Sequence, residues 1–227
     1  LNFLIDIGNK SILNSNKENN NKASLGAFEL YFNKIKFITN LGDTKNQWKR
    51  QTNPLSSTAA HSTLSVDDRN NVDLSGKRKL EHILVKTSQN NTGSLIEMKH
   101  DGYKHNFGIF HTRTIFISKN GSDLRGEDQI ISLDNIGITP KMAYIRFHLN
   151  PLIKIIKLQS GKILLKHKDG LTSHFFSSIN DIEIEDTVIF KEDKSVNSNQ
   201  LVVKFHISEI RKIKTLKCNW SFKFKNY

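Results

Sequence analysis

The chain reads as all-β, a large antiparallel β-sandwich of two curved sheets. Three observations carry that reading. Helix-period apolar runs are scarce, and short stretches rich in Ile, Val, Phe, Thr and Tyr recur down the whole length. Turn residues separate these stretches at intervals of about 8–15 residues, the spacing of hairpin-connected strands in a sandwich.

Taken in order, the chain opens in an apolar run, Leu1-Asn2-Phe3-Leu4-Ile5. Beginning at Leu rather than Met, it reads as entered in mid-architecture, a fragment or a processed product. Residues 10–22, with Ser11–Lys22 reading SILNSNKENNNK, are polar and low in complexity and are expected to form a flexible loop. Ala27–Phe32 and Lys34–Thr39 read as a hairpin around Asn33. Ala59–Val66, Leu80–Lys86, Ser94–Lys99 and Phe107–Ser118 follow as strands, and Asn120-Gly121 is a strong turn signal. Ala143–Leu149, Ile153–Leu158, Lys162–His167 and Ser173–Ser177 continue the series, with Gly161 and Asp169-Gly170 where turns are needed. Asp181–Phe190, Asn199–Ser208 and Thr215–Phe224 close it, with Lys191–Asn199 expected as a charged loop. There is no tandem repeat and no compositional break, so residues 1–227 are expected to form one sandwich domain.

Lys and Arg exceed Asp and Glu by 34 − 22, a net charge of +12. Such a surface favours anionic partners, whether nucleic acid, acidic lipid or acidic polysaccharide; a Lys- and Asn-rich coding bias is the plain alternative. The lone cysteine, Cys218, rules out an intrachain disulfide and cysteine-based zinc sites. No apolar run approaches the roughly 20 residues of a spanning helix, so no membrane span is expected. Nucleophile elbows, P-loops, dinucleotide fingerprints and HExxH are absent. Basic residues and aromatics accompany each other near the C-terminus (Lys217, Trp220, Phe222, Phe224). That alternation suits any half-buried strand, and without a nucleic-acid motif no specific nucleic-acid binding is expected.

The most informative stretch is Thr58–Asp68, TAAHSTLSVDD, which follows the Trp48-Lys49-Arg50 cluster and carries His61. A single histidine there reads as a hydrogen-bonded structural residue or as a ligand or catalyst. Other candidates divide similarly. His100-Asp101-Gly102-Tyr103 reads as a groove-lining segment with Tyr103 as a ligand contact, or as an Asp-Gly turn. His148 packs between strands, with Arg146 pairing a carboxylate. Asp123–Asp128 reads as an acidic segment paired with a base such as Arg113. Trp48 and Arg50 form an aromatic–guanidinium pair suited to a carboxylate-bearing ligand, or lie on the surface by chance.

The segments form an ordered series. It begins Leu4-Ile5-Asp6-Ile7-Gly8, Lys22-Ala23-Ser24-Leu25-Gly26-Ala27-Phe28-Glu29, Phe37-Ile38-Thr39-Asn40-Leu41-Gly42 and Ala59-Ala60-His61-Ser62-Thr63-Leu64. It continues through Lys99–Tyr103, His111-Thr112-Arg113, Asp123–Asp128 and Ile145–Pro151. This set resembles the C-terminal β-sandwich domain of heparinase II/III family proteins, polysaccharide lyases and their bacterial relatives, over essentially the whole chain. The resemblance implies an N-terminal α/α toroid as partner domain, holding the tyrosine and most acid/base residues of a β-elimination at a uronic acid. The sandwich would then close over the groove, and this chain alone would be inert. It equally admits a non-catalytic carbohydrate-binding or structural module of a degenerate lyase. Acidic polysaccharide is the implied partner, and periplasm or cell envelope the implied location. Family members also carry a zinc site in the sandwich, whose three positions correspond to Lys22, Asn40 and His61. Lysine and asparagine replace better ligands at two of them, so no bound metal and no cofactor are expected, and His61 is the best candidate for catalysis or substrate contact.

Overall fold

Period-two burial runs through the strands: in Thr215–Lys225 the buried residues Cys218, Trp220, Phe222 and Phe224 alternate with exposed or half-buried Lys217, Asn219, Ser221, Lys223 and Lys225. One face of each strand is thereby committed to the interior. The computed structural model describes residues 1–8, 22–42, 54–133, 137–191 and 194–225. The expected loop is described only at Lys22; residues 10–21 lie outside the described residues, as do Trp48 and Arg50.

Among the described residues the strands are, in chain order, β1 (Asn2–Ile5), β2 (Phe28–Phe32), β3 (Ile35–Thr39), β4 (Leu64–Val66), β5 (Ile83–Gln89), β6 (Gly93–His100), β7 (Ile109–Ser118) and β8 (Asp123–Ser132). There follow β9 (Met142–Leu149), β10 (Ile153–Lys157), β11 (Ile163–His167), β12 (Thr172–Ser177), β13 (Ile182–Lys191), β14 (Lys194–His206) and β15 (Thr215–Lys225). Two short helices, α1 (Lys104–Phe107) and α2 (Ile210–Ile213), interrupt them. One sheet runs β1-β2-β3-β9-β14-β13 with β4 also paired to β9; the other runs β10-β11-β12-β15-β8-β7-β6-β5. The strand-to-strand pairings are antiparallel. The all-β antiparallel sandwich read from the sequence is the architecture observed.

Inner faces of both sheets meet in one core. Phe28 and Phe147 of the first sheet pack on Trp220, Phe222 and Phe175 of the second, with Phe28 stacked on the Trp220 indole at 5.4 Å and Phe147 edge-on to it at 5.0 Å. Gly126, opposite Trp220 in the β8–β15 ladder, makes this possible: a Cβ there would lie 2.1 Å from the indole.

A buried polar network crosses the core. Arg113 (β7) donates two parallel hydrogen bonds to Asp128 (β8), at 2.7 and 2.9 Å, and its remaining terminal nitrogen donates to the carbonyls of Gly26 and Ser62 in the first sheet's connections, at 2.7 and 3.0 Å. Trp220 Nε1 and His111 Nε2 also donate to Asp128, at 2.7 and 2.6 Å. His111 must therefore accept at Nδ1, so His100 donates from Nε2 (3.0 Å) and accepts the Gly102 N–H at Nδ1. This tautomer chain satisfies both imidazoles in their neutral forms. Burial lowers the pKa of both, against the Asp128 carboxylate. Burial opposes ionisation of Asp128 as well, but Arg113 and the His111 N–H outweigh it and hold the carboxyl well below the usual range. The expected pairing of the 123–128 segment with Arg113 is thus found at Asp128.

Four element readings change. Ala59–Val66 is a strand only from Leu64; Thr58–Ala60 is a 3-10 turn and 61–63 is irregular. Its hydroxyls bond backbone carbonyls instead of leaving them to a ladder: Thr58 Oγ1 donates to Ala23, Ser62 Oγ to Thr39 and Thr63 Oγ1 to Leu25. The 107 end of the next expected strand is α1, closed by left-handed Gly108. Asp123–Asp128 is itself strand, since its carboxylates face a basic partner rather than solvent alone. Of the expected loop Lys191–Asn199, Lys191 is strand and Lys194–Asn199 belongs to β14, paired up to Lys191 opposite Lys194; its residues 194–197 are all exposed, which hides the alternation, and residues 192–193 lie outside the described residues.

Replacing Arg113 by Met leaves Asp128 buried without its cation and should cost about 3–5 kcal/mol in urea unfolding. Arg113→Met with Asp128→Asn should recover part of that loss, because no charge is then stranded. A single-variant cost under about 1 kcal/mol would remove the pair from its central place.

Candidate functional site

The seam of the first sheet builds the site. Strand β9 is flanked on one edge by β3, at Leu149 and His148, and farther along by β4, at Ile145 to Ala143. Residues 61–63 fill the gap between β3 and β4. Ser62 Oγ donates to the Thr39 carbonyl (2.7 Å) and accepts the His148 N–H (2.9 Å), while the Arg146 N–H donates to the Thr63 carbonyl. Asn40, just past β3, accepts the Ser62 N–H at Oδ1 (2.8 Å). Gly42 then runs beside Phe190, and its φ of +86° together with a 2.1 Å approach of a notional Cβ to the Phe190 carbonyl admits only glycine.

These constraints bring Lys22, Asn40 and His61 to one open cleft of about 490 Å³, together with Asp6, Ser24, Glu29 and Gly42. Lys22 Nζ donates to the Gly42 carbonyl at 3.3 Å. Ser24 Oγ donates to Asp6 Oδ2, and the Gly8 N–H to Asp6 Oδ1. His61 is 3% exposed, and its Nδ1 lies 2.7 Å from the Ser57 carbonyl, so Nδ1 carries the proton and Nε2 the lone pair. Burial pushes its pKa down to about 4; the Ser57 bond and the Asp6 carboxylate act against this, and the Lys22 ammonium adds to it. The cleft therefore pairs a neutral imidazole, able to accept a hydrogen bond or a proton, with a fixed cation able to meet an anion.

The donor set does not fit zinc. Lys22 is an ammonium, and the Asn40 carbonyl oxygen is already engaged by Ser62. Asp6 is held by Ser24 and Gly8, and Glu29 Oε2 accepts from Tyr31 and Lys36. Among the described residues, three potential ligands lie within 4.8 Å of one another only at Glu81, His82 and Asp101. There the Lys104 ammonium already sits 2.6 Å from Glu81, and Asp101 Oδ2 accepts the N–H groups of residues 81 and 82.

Other candidates fall elsewhere. Tyr103 is fully buried and donates to the Leu64 carbonyl at 2.8 Å, so the expected ligand contact gives way to a packing role beside β4. Its segment is the turn into α1, with Asp101 clamping residues 81 and 82. His148 Nε2 bonds the Ala59 carbonyl at 2.9 Å, and Arg146 reaches Ser65 and Asp68. Cys218 is buried with its thiol pushed up to about 11, which leaves no nucleophilic thiolate. Asp6, Ser24 and Glu29 were not singled out as site residues from sequence. The available signal was that both flanking segments belong to the same ordered series as His61.

A family model described as heparinase II/III-like, C-terminal, matches residues 9–221. FtsZ-localized protein C of Caulobacter vibrioides is 28% identical over 138 residues, 56% of this chain and 23% of that protein. The crystal structure of heparan sulfate lyase HepC from Pedobacter heparinus aligns with a TM-score of 0.72 at 15% identity, covering 91% of this chain and 31% of that one. A heparinase III, the BT4657 gene product, aligns with a TM-score of 0.69 at 14% identity, covering 91% and 30%. The chain thus spans under a third of these lyases and under a quarter of the curated relative. At such identities the structural likeness is one of fold.

The His61 titration has a defined sign. The unfolded imidazole takes up a proton near pH 6.5, whereas the folded one resists until about 4, so the unfolded state binds more protons in that window. Stability should fall as pH drops from 6.5 towards 4, and His148, lowered by burial to about 3, acts in the same direction. His61→Gln should flatten the slope by roughly one proton in urea unfolding followed against pH. A His61 resonance titrating at 6 or above by NMR would contradict the assignment.

Proposed function

We propose the function from one premise: the chain belongs to the heparinase II/III-like C-terminal family. It serves as the C-terminal sandwich of a polysaccharide lyase, supporting the groove in which a uronate-containing anionic polysaccharide undergoes β-elimination. A partner α/α toroid supplies the main acid and base. The chemistry removes the C5 proton, with the carboxylate neutralised so that this proton becomes acidic enough to leave, and expels the 4-linked sugar. The observation that carries this reading is the convergence of Lys22, Asn40 and His61 on one cleft.

In that cleft the Lys22 ammonium meets a uronate carboxylate, and neutral His61 accepts a hydrogen bond from a sugar hydroxyl at Nε2. Asn40 holds the Ser62 turn that carries His61 in place. Trp48 and Arg50, which lie outside the described residues, are assigned from sequence alone as a further uronate-binding pair. No tightly bound zinc resides in the cleft; the fixed charge of Lys22 takes the cation's part. The protein works in the periplasm or cell envelope, where acidic polymers are met.

A second reading is favoured by the same two replacements. With an ammonium and an engaged amide in the cleft, the sandwich belongs to a degenerate lyase that binds glycan without cleaving it. The curated relative, whose name places it with FtsZ rather than describing a lyase, is in keeping with this.

The isolated chain, mixed with uronate polysaccharide, should give no absorbance from unsaturated product. The complete protein with its toroid should give one, with Lys22→Ala lowering kcat/KM roughly tenfold or more through loss of a charge-assisted bond. Binding without product in the complete protein would select the second reading. One stoichiometric zinc per chain by metal analysis would refute the charge-substitution idea.

A further inference from the structure

On the outward face of the second sheet Lys86 lies opposite Glu97, Lys217 pairs with Glu127, Arg125 pairs with Asp123, and Lys99 lies over the Phe110 ring. Towards β10 a row of lysines has no such partners among the described residues. Lys154, Lys166, Thr172 and Lys225 stand side by side on four adjacent strands, in direct register from β10 through β11 and β12 to β15. The next outward row holds Ile156, Leu164, His174 and Lys223. The inward neighbours Ile153, Leu165, Phe175 and Phe224 are buried, which fixes the lysines on the outer face.

Among the described residues, Lys154, Lys166, Lys223 and Lys225 make no ion pair. Lys223 lies opposite Asp123 in the β8–β15 ladder, and that carboxylate is bound by Arg125. Lys154 directly opposite Lys166 is a like-charge pair, which costs stability in a sheet. On the same face Phe176 is 50% exposed, an apolar surface of the kind a sugar ring covers.

We propose that the β10–β11–β12–β15 face, through Lys154, Lys166, Lys223, Lys225 and Phe176, is a second binding site for acidic polysaccharide, separate from the cleft in the first sheet. With strands about 4.8 Å apart, the row from Lys154 to Lys225 spans roughly 14 Å, so an extended polyanion lying across the strands meets several ammonium groups at once. The choice of glycan over other polyanions rests on the function proposed above. A flat face with a single exposed aromatic offers no groove for a duplex and no row of stacking platforms for a single strand. The site tethers the polymer while the cleft holds its reacting or recognised end, an arrangement that raises local concentration without new contacts in the cleft.

The test measures binding of the full chain to a sulfated uronate oligosaccharide by calorimetry, at two salt concentrations. Binding should be salt-dependent, and Lys166→Glu/Lys225→Glu should weaken it at least about tenfold while the urea midpoint stays level or rises, since the carboxylate introduced on β11 would face Lys154. Phe176→Ala should weaken it less. Unchanged affinity in Lys166→Glu/Lys225→Glu, or DNA competing as well as the oligosaccharide at equal charge, would overturn the proposal. The cleft reading fails separately, if Lys22→Ala leaves turnover and product-end recognition by the complete protein unaltered.

Discussion

The Arg113–Asp128 ion pair is the constraint on which the molecule is organised. A guanidinium and a carboxylate, both without solvent, are tolerable in an interior only when every lone pair and N–H finds a partner. Here the partners come from both layers. His111 and Trp220 complete the carboxylate from the second sheet, and the carbonyls of Gly26 and Ser62 complete the guanidinium from the first. The pair therefore does more than fill space. It sets how the connections before β2 and β4 sit over the second sheet, and those connections carry the cleft: Ser24 two residues before Gly26, His61 one before Ser62.

That placement gives the cleft its electrostatic character. His61 is held neutral because it is buried and lies near a fixed ammonium. The same burial that suits the packing thus leaves an imidazole acceptor near a lysine. Lys22 stands where the family resemblance implies a metal ligand, and a covalently held ammonium, unlike a metal ion, does not exchange with solution.

Much of the fold was legible before any coordinates. Period-two patterns such as Ser173–Ser177 and Thr215–Phe224 are local, and the hairpin at Asn33 and the turn at Asn120-Gly121 declare themselves through residues that accept positive φ. The family was legible too, through the order of segments rather than any one motif. Readings failed where side chains compete with the ladder, as the hydroxyls of residues 58–63 do, and where consecutive strand residues are all exposed and alternation is lost, as at 194–197. Tyr103 was misplaced for a related reason: an Asp-Gly turn places the residue after it without saying which way the ring points.

Residue order and composition alone settled the class of fold, the family and the net basic charge, and the family resemblance singled out Lys22, Asn40 and His61. These are properties of local pattern and of sequence order. Tertiary contact settled that the three share a cleft with Asp6 and Ser24, that Tyr103 is interior, and that Lys154, Lys166 and Lys225 fall in one row across four strands. Those facts depend on pairings between distant segments, such as Arg113 with Gly26 at a separation of 87 residues. No local preference encodes which carbonyl a buried guanidinium will reach, because that choice is made by the packing of both sheets at once.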